Sequence, residues 1–235
     1  MQHLYLLLNI GSLSIPLLFS FHPKLRFYKL WKPLIVSLVL TMLIFIPWDV
    51  IFTINGVWGF NEAYFLDYKI FSLPIEEWLF FICIPYACVF THYALVYYFP
   101  DKQLSEKSTK ILSNLLIVCF FLIALFNYNK WYTVVNFTVA FSLTILVVRY
   151  NIALLSKFYL TFLVILIPFF IVNGILTGSM IHEEVVWYNN SENLGIRMFT
   201  IPIEDSIYAF SLILMNLFLL ELFKGKNATP MRTSR

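Results

Sequence analysis

Charge is scarce in this 235-residue chain: 12% of its residues are Asp, Glu, Lys or Arg, against about 25% in a typical soluble domain. Glycine is scarce too. Among seven glycines no G-x-G-x-x-G occurs, which excludes the strand–turn–helix cradle of a dinucleotide-binding flavoenzyme. The four histidines, His3, His22, His92 and His182, are scattered and offer no clustered set for a di-iron oxygenase. No aspartate-rich run is present to hold the magnesium of a diphosphate substrate. Cys83, Cys88 and Cys119 are spaced for neither a zinc site nor a disulfide framework, so they read as packing residues.

Apolar side chains fill the space left by charge: 60% of the chain is hydrophobic and 19% aromatic. Apolar runs of roughly 18 residues or more can span a bilayer as helices. Seven are read, near 3–20, 33–53, 73–98, 110–126, 131–149, 157–177 and 201–223, so the fold class is all-α integral membrane. The first run lacks a basic leader and a small-residue cleavage site and is read as a span, not a signal peptide. Basic residues concentrate in alternate loops: Lys24, Arg26, Lys29 and Lys32; then Lys102, Lys107 and Lys110; then Arg149 and Lys157; then Lys224, Lys226, Arg232 and Arg235. Only Lys69, Lys130 and Arg197 fall on the other side. The positive-inside rule therefore puts the N-terminus outside and the C-terminus in the cytoplasm. Topology accounts for the net charge of +3 without a nucleic-acid partner.

The chain also contains a repeat. IFSLPIEEWLFFICIPYACVFTHYAL aligns with MFTIPIEDSIYAFSLILMNLFLLELF. Upstream, Ile46-Pro-Trp-Asp-Val50 pairs with Ile167-Pro-Phe-Phe-Ile171, and Asn55-Gly56 with Asn173-Gly174. This divides the chain into a first three-span repeat (1–100), a connector with the fourth span (101–130) and a second repeat with a basic tail (131–235). One connecting span makes the repeats parallel, related by an axis along the membrane normal. Glu76, Glu77, Glu204, Asp205 and Asp49 are thereby expected at one depth near the outer face. The halves are not equivalent, since Asp49 corresponds to Phe170 and the two proline pairs, 47 to 74 and 168 to 202, differ in separation.

Pro74 and Pro202 suit a first helical position, and an acid two residues later can reach free backbone N–H groups and complement the helix dipole. One carboxylate per helix is accounted for in this way. The second is not, because an acid at membrane depth costs about 2.5–3.5 kcal/mol at a span's centre. Adjacent carboxylates in an apolar setting repel, so one is expected to hold its proton. A neutral carboxyl beside an ionised one is a general acid beside a general base. Aromatic residues surround the acids, and rings can stabilise a carbocation through their faces. Trp48, Trp78, Phe81, Trp187 and Tyr208, with Asn55 and Asn173, are the candidates for substrate contact.

On Pro74-Ile-Glu-Glu77, Pro202-Ile-Glu-Asp205, Asn173-Gly-Ile-Leu-Thr177, Val185-Val-Trp-Tyr-Asn189 and LGIRMFTIPIED, the chain resembles the membrane-integral lycopene cyclases. In that family each half carries Pro-x-Glu-Glu/Asp, on separate small subunits or fused. The resemblance covers nearly the whole chain. It implies cofactor-independent cyclisation of the linear ends of lycopene to β-ionone rings, giving γ- and β-carotene, in a bacterial inner membrane. Its expected partners are lycopene and other linear-ended carotenoids, membrane lipid, and further carotenoid enzymes or a second copy of the chain. In the implied mechanism Glu77 or Glu76 protonates the terminal double bond and Glu204 or Asp205 removes a proton, with Asp49, Asn55 and Asn173 orienting or relaying.

Two rivals stand beside this reading. A retinal protein needs a Schiff-base lysine in its last span, and none lies between Ile201 and Phe223. A proton-coupled transporter of a small hydrophobic molecule would use the same intramembrane acids as relays. His92, about 23 Å along its helix from Glu77 at 1.5 Å per residue, reads as a packing residue.

Overall fold

A computed structural model describes residues 2–225. Seven helices carry the chain: α1 (Leu4–Phe19), α2 (Trp31–Ile54), α3 (Ile75–Tyr98), α4 (Glu106–Phe126), α5 (Trp131–Tyr150), α6 (Ile152–Leu176) and α7 (Ile203–Phe223). The seven predicted runs fall on these helices. Six of them are long and apolar enough to cross a membrane. The exception is α1, whose 16 residues rise roughly 24 Å against a hydrocarbon core of about 30 Å. The protein is thus an integral membrane protein. Lys226, Arg232 and Arg235 lie outside the described residues.

Helices in lipid satisfy their own backbone groups, so the remaining polar demand falls on the connections. At the end where α1, α3, α5 and α7 begin, six short strands organise two loops: β1 (Trp58–Phe60), β2 (Lys69–Ile70), β3 (Leu73–Pro74), β4 (Val186–Tyr188), β5 (Arg197–Met198) and β6 (Ile201–Pro202). β2 and β3 form one hairpin and β5 and β6 another, in matching register: Lys69 opposite Pro74, Arg197 opposite Pro202. β1 and β4 join the two loops to each other across the bundle, Trp58 opposite Tyr188 and Phe60 opposite Val186.

Helix neighbours repeat in the same sense. α1 lies on α3 as α5 lies on α7, and α2 lies on α7 as α6 lies on α3. α4 stands outside this exchange, against α5 and α6. Between the helices a core of buried Leu and Phe surrounds a few satisfied polar pairs, such as Ser37 Oγ donating to the Asn216 carbonyl at 2.7 Å. His92 is one of these, 2.7 Å from Thr161 Oγ1 and buried. Among the described residues all three cysteines are free thiols.

One part of the predicted alignment shifts. Asn55 ends α2, its side chain donating to the Ile51 carbonyl at 2.7 Å, whereas Asn173 lies inside α6, which runs on to Leu176. A helix cap and a residue in the last helical turn are not equivalent positions, so the Asn-Gly pairing does not hold in space.

Candidate functional site

Each acid pair is set by the same local construction. The motif proline is the N-cap residue and belongs to the strand before the helix; it does not open the helix. Its hairpin turns through left-handed residues, Phe71 and Ser72 in the first and Phe199 in the second. The first acid of each motif, Glu76 or Glu204, is fully buried. Its Oε1 accepts from a loop N–H ten residues upstream, Leu66 at 2.8 Å and Leu194 at 2.7 Å. The expected bond to the helix's own free N–H groups is not made, because the returning loop supplies a donor of its own. Asn9 donates to the Glu76 carbonyl at 2.9 Å and Asn136 to the Glu204 carbonyl at 2.6 Å. These first acids fasten loop, α1 and α5 to the helix starts.

The second acid of each motif faces inward. Glu77 and Asp205 line one cavity together with Asp49 near the end of α2. About 720 Å³ of unfilled space, counted to its open side, lies between them and a mainly apolar wall. Tyr5 donates its hydroxyl to Glu77, and Tyr132 donates to Asp205 at 2.5 Å. Tyr5 and Tyr132 hold the same place at the starts of α1 and α5, each four residues before the asparagine described above. Sequence reasoning passed over both. The signal was present as the four-residue Tyr-to-Asn spacing in L-Y-L-L-L-N and W-Y-T-V-V-N, upstream of where the repeat was traced.

Beyond the tyrosines the two acids differ. Asp205 also accepts from Asn173 Nδ2 at 2.7 Å and from the Tyr188 hydroxyl at 2.9 Å. Three donors converge on it, the environment of an ionised carboxylate. Burial, and then the Asp205 charge, hold the Tyr188 hydroxyl well above the usual tyrosine range, so it remains a donor. Glu77 instead has a second carboxyl for a neighbour, since Asp49 lines the same cavity. Asp49 Oδ1 accepts from Trp58 Nε1 at 2.8 Å, while its Oδ2 meets no N–H or O–H donor among the described residues. Two carboxyls facing one apolar cavity repel when both are ionised.

Among the described residues no cation pairs with these acids. The ion pairs among the described residues are Lys69–Glu62, Lys110–Glu106 and Lys224–Glu221, all away from the cavity. Aromatic rings take that place. Trp58 meets Tyr132 edge to face at 5.0 Å, and Tyr132 stacks on Tyr188 at 5.7 Å. Arg197 lies over the Tyr188 ring at 5.8 Å. Among the described residues no group of His, Cys, Asp and Glu is arranged to hold a metal.

Of the candidates for substrate contact, Asn173 and Tyr208 line the cavity. Trp48 stands one ring behind it, 5.3 Å from Tyr208. Phe81 is buried against Phe45 and Phe80. Trp78 turns to the β2–β3 hairpin, donating to the Ile70 carbonyl at 3.3 Å. Trp187 lies flat over Gly59, where a Cβ would stand 2.3 Å from its ring. Asn55 is exposed at its helix end. Alternation along a strand explains Trp187: Val186 and Tyr188 point into the cavity and the residue between them points away.

No curated protein and no solved structure matches the chain. The family model described as lycopene cyclase matches it twice, over residues 2–95 and again over 129–223. These stretches hold α1–α3 and α5–α7, and with them every acid in the cavity and both motif loops. The chain therefore belongs to the lycopene cyclase family, whose members are carotenoid cyclases.

Proposed function

We propose that the protein is a lycopene β-cyclase that works by acid and base alone, without a cofactor. The observation that carries this reading is the placement within one aromatic cavity of two neighbouring carboxyls, Asp49 and Glu77, opposite a carboxylate held by three donors, Asp205. Glu77 is the acid. Its proton goes to C2 of the terminal C1=C2 bond and leaves a cation at C1. The C5=C6 bond attacks, forming the C1–C6 bond and moving the cation to C5. Asp205 removes the proton on C6, whose C–H electrons complete the new C5=C6 bond. No electrons are gained or lost, and the proton passes back to Glu77 before the next turnover.

The surroundings support each step. A cation moving between C1 and C5 is stabilised by the faces of Trp58, Tyr132 and Tyr208, an attraction worth about 2 kcal/mol or more where water is excluded. Tyr188, Tyr132 and Asn173 fix the base, so the position of the proton it removes is set by structure. Glu76 and Glu204 hold the loops and take no part in proton transfer.

The placement of the basic loops opposite the cavity supports an outward N-terminus, a cytoplasmic C-terminus and a bacterial inner-membrane location. The division at about 100 and 130 is the reading that leaves each acid set within one repeat. The test is expression in lycopene-producing cells with chromatography of the pigments. Monocyclic and bicyclic β-ring products are expected from the native chain, and unchanged lycopene from Glu77→Gln. Full conversion by Glu77→Gln would remove the acid from its role.

A further inference from the structure

The repeats make two crevices that the internal symmetry relates: one where α6 meets α3 and α7, the other where α2 meets α7 and α3. The first is hollow. Its walls continue the acid cavity away from the motif end through Phe80 on α3, Phe169 and Val172 on α6, and Ala209 and Leu212 on α7. From Asp205 to Leu212 this is seven residues, roughly 10 Å along the helix. Phe80, Phe169, Val172 and Ala209 are all partly exposed.

The motif alignment that pairs Glu76 with Glu204 pairs Phe81 with Ala209, and the Ile-Pro alignment pairs Trp48 with Phe169. In the second crevice Phe81 and Phe45 are 1% and 0% exposed. Trp48 packs 4.9 Å from Phe45, and both rings meet Tyr208 edge to face at 5.3 Å. A cluster of large rings closes one crevice. A methyl group leaves the other open.

We infer that the open α3–α6–α7 crevice receives the apolar chain behind the reacting end of the substrate, and that Ala209 sets its bore. This rests on the carotenoid-cyclase reading and adds to it where the polyene lies. It follows that one binding event presents one end to the acids, so a two-ended substrate must leave and return reversed for its second ring.

The test uses Glu77→Gln as a background in which lycopene binds without turning over. The purified protein is loaded with lycopene in detergent, and bound pigment per protein is read by absorbance. Adding Ala209→Phe, which copies the closed crevice, is expected to lower bound lycopene at least tenfold. Val172→Phe narrows the bore from the opposite wall, and its expected loss is similar, so the result does not depend on one substitution being tolerated. Cys119→Ala, on the exposed face of α4 and outside the crevice, is expected to leave binding unchanged. Undiminished binding by a folded Ala209→Phe or Val172→Phe protein would overturn the assignment of the crevice while leaving the cyclase reading intact. Failure of the native chain to convert lycopene would count against that reading instead.

Discussion

Glu77 and Asp205 occupy matching places in the two repeats and meet different company. Both begin a helix behind a Pro-Ile-Glu, both take a tyrosine hydroxyl from the neighbouring helix, and both are buried at the same end of the bundle. Around Asp205 the longer second loop brings Tyr188, and α6 brings Asn173, so the carboxylate is surrounded by donors. Around Glu77, α2 brings Asp49. One duplicated acid meets two different environments through a few side chains contributed by other segments. The residues that fix the backbone, Glu76 and Glu204 with Asn9 and Asn136, stay nearly the same in both halves. A repeat can therefore diverge in the surroundings of its acids while its frame is held.

The largest effect is expected from making the two sites alike. Asp49→Phe copies the second repeat, where Phe170 aligns, and removes the partner carboxyl of Glu77. Cyclisation measured as turnover of lycopene should fall by about 10²–10⁴-fold, the usual contribution of a positioned acid or base, with the protein still inserted and folded. Asp205→Asn should lose as much, because an amide cannot take the proton.

A smaller, unequal pair of effects is expected from the tyrosines. Tyr5→Phe takes away the hydroxyl donor of Glu77, while Tyr132→Phe leaves Asp205 with Asn173 and Tyr188. Leaving a buried acceptor unpaired costs about 1–3 kcal/mol, so kcat should fall roughly tenfold to a hundredfold for Tyr5→Phe. Tyr132→Phe should fall by less. Equal losses would show that the donor count does not distinguish the two acids.

The smallest effect on chemistry is expected at the frame. Glu76→Ala and Glu204→Ala each leave a partly buried loop N–H without its acceptor, at about 1 kcal/mol or more. Thermal unfolding should shift down in both, and further for Glu204→Ala, which also strands the Thr133 hydroxyl that donates to it at 2.7 Å. The surviving folded fraction should cyclise at the native rate. A loss of rate without a loss of stability would bring the first acids into the reaction.

Much of this was readable before any fold was known. Long apolar runs, alternating basic loops and twin Pro-Ile-Glu-Glu/Asp motifs name spans and acids directly, because a helix in lipid has one period and a charge there is conspicuous. The rings were harder. Trp187 and Tyr188 are neighbours on one strand with opposite orientations, and nothing local says which faces in. Trp78 and Phe81 flank Glu77 along α3, yet a helix turns about 100° per residue, so closeness in sequence to an acid does not bring a side chain to its face. Asn55 looked equivalent to Asn173 by its following glycine, and the helix end decided otherwise.

That this is a seven-helix membrane protein built twice over, with acids at two helix starts, can be read from the chain alone. Those features follow from local composition and from repetition, which survive without knowledge of contacts. Packing of the helices was needed to learn which acid of each pair faces the cavity, which one has a second carboxyl beside it, and which of two related crevices is open. Each of those depends on residues about 30 to 90 positions apart, Asn173 on Asp205, Tyr5 on Glu77, Phe169 on Phe80, and side chains that far apart along the chain meet only when the helices pack.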